Sequence, residues 1–168
     1  MAEPGTTAHD RRRGVVMVAM QVILLAVLVV APPGGWWPRR ETVEAVGVLL
    51  IVAGVLAALA GAGGLGTSLT PLPTPTATST LHTSGLYRFV RHPIYAGLLL
   101  AAAGEVVWSA SGWKVAALLA LFTLFTLKAR FEERLLVARY PEYTAYAAHT
   151  PRFVPYFGGR SAPPSRTR

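Results

Sequence analysis

Two short stretches of this sequence concentrate the side chains that could do chemistry. The first, Gly85-Leu-Tyr87-Arg88-Phe-Val-Arg91-His92-Pro93-Ile-Tyr95-Ala-Gly97, crowds tyrosine, arginine and histidine around one proline. Pro93 suits a first helical turn, where its missing N–H costs nothing. His92 therefore falls at a helix N-terminus, where free N–H groups favour an anion. Tyr95 follows His92 by three residues and shares its face once that turn forms. The second stretch, Lys128-Ala-Arg130-Phe-Glu132-Glu133-Arg134, alternates bases and acids. At helical spacing Lys128 can pair with Glu132, and Arg130 with Glu133. Interfacial anchoring is the plain reading of the first cluster, and a solvated, salt-bridged helix end that of the second. If the two meet, acids, bases and aromatics converge on one pocket.

The elements that would bring them together are membrane helices. Hydrophobic residues make up 52% of the 168-residue chain and charged residues 14%, against about 25% charged in a soluble domain. The expected fold is an all-α membrane protein with about four transmembrane helices. The first span covers about residues 15–31, interrupted only by Gln21 and stopped by Pro32, Pro33, Gly34 and Gly35. Its length, roughly 26 Å at the helical rise, approaches the hydrocarbon thickness. Trp36 and Trp37 then suit the membrane–water interface. A cleaved signal peptide is the rival reading, but Val29-Val30-Ala31 followed by Pro32 makes a poor cleavage site. The second span covers about 43–64, rich in the Ala and Gly that let membrane helices approach closely. Residues 67–80, with Pro71, Pro73 and Pro75, read as a loop. The third and fourth spans cover about 93–110 and 113–130. No breaker follows the fourth, so its helix continues into the cytosol to about Arg139, ahead of Pro141. Residues 1–14 form a cytosolic tail, 15–158 one domain with a small C-terminal cap rich in aromatics, and 159–168 a disordered tail.

The net charge of +8 could suggest nucleic acid. With both termini inside, however, thirteen of the sixteen Lys and Arg lie on the inner side, so the positive-inside rule explains the charge without a nucleic-acid partner. Arg39 and Arg40 run against the rule. The absence of cysteine removes thiolate metal sites and cysteine nucleophiles, and no metal-ligand set is expected. Gly61-Ala-Gly63-Gly64-Leu-Gly66 fits GxGxxG but lacks the strand before and helix after that a dinucleotide fingerprint needs. Glu105, within the third span, is expected to pair or snorkel near the outer interface, with Lys114 close in sequence.

The order Gly-x-Tyr-x-x-x-Arg-His-Pro-x-Tyr-x-Gly, then Glu132-Glu133-x-x-Leu136, then Tyr143-x-x-Tyr146, resembles the isoprenylcysteine carboxyl methyltransferase and phospholipid methyltransferase superfamily over about residues 80–155. The resemblance implies methyl transfer from S-adenosylmethionine, bound at the cytosolic face, to a lipophilic acceptor from the bilayer. By position it implies cofactor contacts for Leu81, His82, Tyr87, Arg91, His92, Pro93, Ile94 and Glu132. The family's substrate-contacting Arg falls at Lys128, with Arg130 two residues on, and Lys lacks the planar fork of Arg. The usual Phe-Gly before the Tyr-x-x-Tyr element is replaced by Arg139, Tyr140 and Pro141. Chemistry agrees with the resemblance: tyrosine faces at Tyr87 or Tyr95 favour a sulfonium cation, Arg91 suits a carboxylate, and Glu132 can accept from hydroxyl or amino groups. A carboxylate acceptor needs no base; for an amine or hydroxyl, His92 or Glu133 is the candidate base. The alternative is a non-enzymatic small membrane protein, a transporter or complex subunit, anchored by its basic clusters and centred on Glu105.

Overall fold

In a computed structural model, residues 8–66 and 81–155 are described. The expected loop at 67–80, the tail at 159–168 and the first seven residues lie outside them. Five α-helices appear in order: α1 Ala8–Val30, α2 Glu41–Leu65, α3 Pro93–Ser109, α4 Gly112–Arg139 and α5 Tyr143–His149, with a 3-10 turn at Gly85–Arg88 before α3. No strand occurs among the described residues. α1, α2 and α4 are long and apolar enough to cross a membrane, whereas α3 is a shorter apolar helix. The expectation of about four spans is thus met by length in three helices. Pro93 fixes where α3 can start, and Ala110, in the left-handed conformation at φ 50°, ends it before the turn into α4. α1 begins at Ala8, ahead of the expected membrane start, so Arg11, Arg12 and Arg13 are helical.

α2 and α3 form the closest pair. Gly47, Gly54 and Gly61 recur every seven residues on α2 and are its buried positions, and Gly97 and Gly104 have the same spacing on α3. A methyl group on Gly47 would stand 2.8 Å from the Trp108 backbone nitrogen, and one on Gly104 would stand 2.6 Å from the Gly47 carbonyl oxygen. The two backbones therefore touch, as small residues allow in membrane helices.

α4 lies against α1 and α3 over a core of Leu28, Ala102, Val106, Ala117, Leu121 and Phe125. Large apolar side chains on α1, α2 and α4, such as Ile23, Leu49, Leu56 and Leu119, face outward, as expected where lipid is the solvent.

At one end, the α1–α2 linker is tied to the α3–α4 turn by Gly34 N donating to Ser109 O at 2.8 Å and Trp36 N to Ala110 O at 3.1 Å. Lys114 is buried there, its Nζ donating to Glu105 Oε1 at 2.5 Å. Glu105 therefore has the partner the sequence suggested. At the opposite end, the chain after α5 returns to the start of α3, with Arg91 N donating to Pro151 O at 2.9 Å and His92 N to Arg152 O at 3.1 Å.

Candidate functional site

α3 starts where α4 leaves its apolar run, which ends at Leu127, and the two motifs meet there. His92 is the N-cap of α3. Its ring lies parallel to that of Tyr95, with centroids 5.5 Å apart and planes within 6°, and Tyr95 in turn stacks on Phe125 of α4 at 4.6 Å. His92 thus takes its orientation from a column of rings running into the core.

Both ring nitrogens of His92 face carboxylates. Nε2 is 3.0 Å from Glu133 Oε1, and Nδ1 is 3.4 Å from Glu132 Oε2. Glu132 also accepts from the Tyr95 hydroxyl. Burial disfavours a charged imidazole here, but the hydrogen bonds and charges of the two glutamates outweigh it and raise the His92 pKa. Glu133 receives a two-pronged contact from Arg152, Nε at 3.0 Å and Nη2 at 2.7 Å, and Arg91 Nη2 stands 3.6 Å away. Burial alone would raise its pKa; hydrogen bonds from His92 and Arg152, with Arg91 nearby, bring it down to about 2.

The expected helix-end pairs do not form. Glu132 and Glu133 turn toward α3 and the C-terminal return, while Lys128 bonds elsewhere. Lys128, 3% exposed, donates to Gln21 Oε1 of α1 at 2.9 Å, and its ammonium lies over the Tyr95 ring at 5.2 Å. Burial selects this arrangement, because an acid near α3 gains a histidine and a tyrosine hydroxyl that solvent-facing pairing would forgo. Lys128 and Arg130 also part company. Lys128 faces the Tyr95 side, whereas Arg130 is exposed and lines a cavity that also takes in Arg91 and Glu133.

The remaining candidates frame this cluster. The Tyr87 hydroxyl donates to Gly61 O at 3.2 Å, and the Tyr146 hydroxyl donates to Tyr87 O at 2.5 Å. This links α2, the 3-10 turn and α5. His82 lies beside Tyr87, ring centroids 6.5 Å apart, and Leu81 directly precedes it, half-buried. Pro93 and Ile94 press on Gly61, so they set the approach of α3 to α2. Arg91 Nε is buried without a completed hydrogen bond among the described residues.

Gln21 and Arg152 were missed as site residues. Gln21 did carry a signal, being the one polar residue in the first apolar run. Arg152 sits in no motif, and only the return of the chain after α5 brings it to Glu133.

The donor set suits S-adenosylmethionine. Two carboxylates and tyrosine rings match its cationic and hydroxyl groups, and the incompletely bonded Arg91 Nε offers a donor to a carboxylate. Three helices long and apolar enough to cross a membrane, with a buried charged cluster where α3 begins and the apolar run of α4 ends, are consistent with an integral membrane protein. Residues 43–143 match the phospholipid methyltransferase family, and the chain belongs to it, so an S-adenosylmethionine-dependent methyltransferase domain is present. Cobalt-zinc-cadmium resistance protein CzcN of Cupriavidus metallidurans is 38% identical over 78 residues, which are 46% of this chain and 36% of that protein. The chain thus spans about a third of that relative's length.

Proposed function

We propose that this protein transfers the methyl group of S-adenosylmethionine to a lipophilic acceptor drawn from the bilayer, and that the acceptor atom is a carboxylate oxygen of an isoprenylcysteine-like molecule. The observation that carries the carboxylate reading is the engagement of both candidate bases. His92 has a carboxylate at each ring nitrogen, and Glu133 is held by Arg152 and His92. An imidazole favoured in its charged form has no lone pair to offer, a carboxylate stabilised by its donors takes up a proton poorly, and a carboxylate acceptor needs no base.

The donor supplies an electrophilic methyl on a sulfonium, whose transfer to a carboxylate oxygen leaves a neutral thioether and an ester. The protein's own residues position and exclude water. Glu132 places negative charge beside the Tyr95 ring, where a cation is favoured. Arg91 receives the donor's carboxylate. His92 keeps the two glutamates apart and fixes their direction. Leu81, His82, Tyr87, Pro93 and Ile94 form the wall next to the start of α3, and Lys128 faces the acceptor's anionic group. The main catalytic gain is alignment of the two reacting atoms.

In this reading the chain is an integral protein of the cell membrane with both termini and the cofactor site on the cytosolic side. Equilibrium binding of S-adenosylmethionine to the detergent-purified full chain tests it. Saturable binding, lost in His92→Ala and in Glu132→Ala while both variants still insert, is the expected result. Undiminished binding in both variants overturns the site, and no binding by folded wild type overturns the function.

A further inference from the structure

An open cavity of about 900 Å³ lies between the N-terminal part of α1, the C-terminal part of α4 and α5. Its α4 wall comes from residues 127, 130, 131, 134 and 137, one helical stripe, with Glu133 at its edge. Lys128 and Glu132 belong to another face and, like His92 and Tyr95, do not line it. The cavity therefore adjoins the cofactor cluster and shares Arg91 and Glu133 with it.

Its chemistry is two-sided. Met17, Leu127 and Phe131 supply an apolar floor, and Arg13, Arg130 and Arg134 surround it with positive charge. Arg134 lies over the Phe131 ring at 5.7 Å. Arg13 and Arg130 have no ion pair among the described residues. The one carboxylate on the wall, Glu133, is already held by Arg152 and His92. The cavity therefore keeps an excess of positive charge that an anion would neutralise.

The depth of the cavity says where that anion comes from. The Gln21–Lys128 hydrogen bond sets α1 against α4 in antiparallel register. Arg13 lies eight residues before Gln21 and Arg134 six after Lys128, roughly 12 and 9 Å along their helices in the same direction. Both arginines thus stand just beyond the apolar runs of α1 and α4, where the headgroups of the inner leaflet would be. A soluble anion would gain nothing from the apolar floor, whereas a lipid fills floor and rim together.

We propose that this cavity seats the headgroup of an anionic membrane phospholipid, bound as a lipid ligand beside the His92 cluster. The site does not depend on the methyltransferase reading.

The test uses the detergent-purified full chain and native mass spectrometry, titrating phosphatidylglycerol and phosphatidylcholine separately. Phosphatidylglycerol should bind more tightly, and Arg13→Gln with Arg134→Gln should weaken it about fivefold per arginine removed, leaving phosphatidylcholine unchanged. Met17→Glu, which puts a like charge in the floor, should weaken it too. Thermal unfolding of each variant checks that it is folded. Equal affinity for the two lipids, or phosphatidylglycerol binding that survives both changes in folded protein, overturns the proposal. So does displacement of the lipid by inorganic phosphate at matched ionic strength, which would assign the cavity to a soluble anion.

Discussion

His92 Nε2 lies 3.0 Å from Glu133 Oε1, across 41 residues of sequence. That contact joins the start of α3 to the end of α4's apolar run, and it makes the stability of this end of the protein depend on two protonation states.

Glu133 is held at about 2 against an ordinary 4.5, so its contribution is present above pH 4.5 and is lost as pH falls toward 2. His92 is raised above 6.5, so its contribution is complete below 6.5 and is lost as pH rises through its own higher value. Thermal unfolding in detergent should therefore show greatest stability between about pH 4.5 and 6.5. In His92→Gln the decline on the alkaline side should flatten. An unchanged alkaline limb in that variant would contradict the imidazolium assignment.

Glu132 and Glu133 are neighbours with different work. Glu133→Gln weakens the Arg152 and His92 contacts, while His92 keeps Glu132 at its other nitrogen, so it should destabilise the fold by about 1–3 kcal/mol. Glu132→Gln keeps the shape and loses a charge facing Tyr95, so it should weaken S-adenosylmethionine binding at least about tenfold with a smaller change in stability. Unfolding and binding curves for both variants separate the roles; equal loss of both properties in each variant would show that the two acids act as one unit.

Gln21 supplies a hydrogen bond to a buried ammonium. Gln21→Leu should cost about 1–3 kcal/mol, and adding Lys128→Met should recover most of it, since the polar group left bare is then gone. A double-mutant cycle by thermal unfolding measures this coupling, and additive losses would show that the contact contributes nothing.

The Glu105–Lys114 pair distinguishes an enzyme at the inner face from a transporter with a path through the bilayer. Lys114→Met alone leaves Glu105 unpaired and should cost about 3–5 kcal/mol. Glu105→Leu with Lys114→Met should restore stability and leave S-adenosylmethionine affinity at the wild-type value. Loss of binding in that stable double variant would move the functional centre toward the other end of the molecule.

Gly97 faces the backbone of α2 at Gly54 and Ala58. Gly97→Ala should therefore force the helices apart, costing about 1–3 kcal/mol, while Gly63→Ala, at an open position, should be near neutral. The comparison by thermal unfolding isolates close approach from helix propensity.

The helices were readable because apolar runs, prolines and glycines mark them locally; α2, α3 and α4 lie within about two residues of the expected bounds, whereas α1 begins seven residues early, because nothing in its polar start breaks a helix. The meeting of His92 and Tyr95 with Glu132 and Glu133 was also readable, given antiparallel neighbours and helical spacing. The partners of Lys128 and Glu132 were not. Four-residue spacing makes a pair available, but it cannot rank that pair against Gln21 or Tyr95 arriving from other helices. Arg152 was hidden for the same reason, since a bend after α5 carries no signature of where it docks.

The glycine repeat on α2 and α3 also bears on the route by which the proposed lipophilic acceptor would reach the His92 end. At Gly47, Gly54, Gly97 and Gly104 backbone lies on backbone, and Pro93 and Ile94 fill the seam at Gly61, so an acyl or prenyl chain would find no gap to enter. The α2–α3 seam is a closed wall. In the proposed function, a lipophilic acceptor reaching His92 through the bilayer would therefore come around α1 or α4, whose apposed faces are lined by side chains that can swing aside.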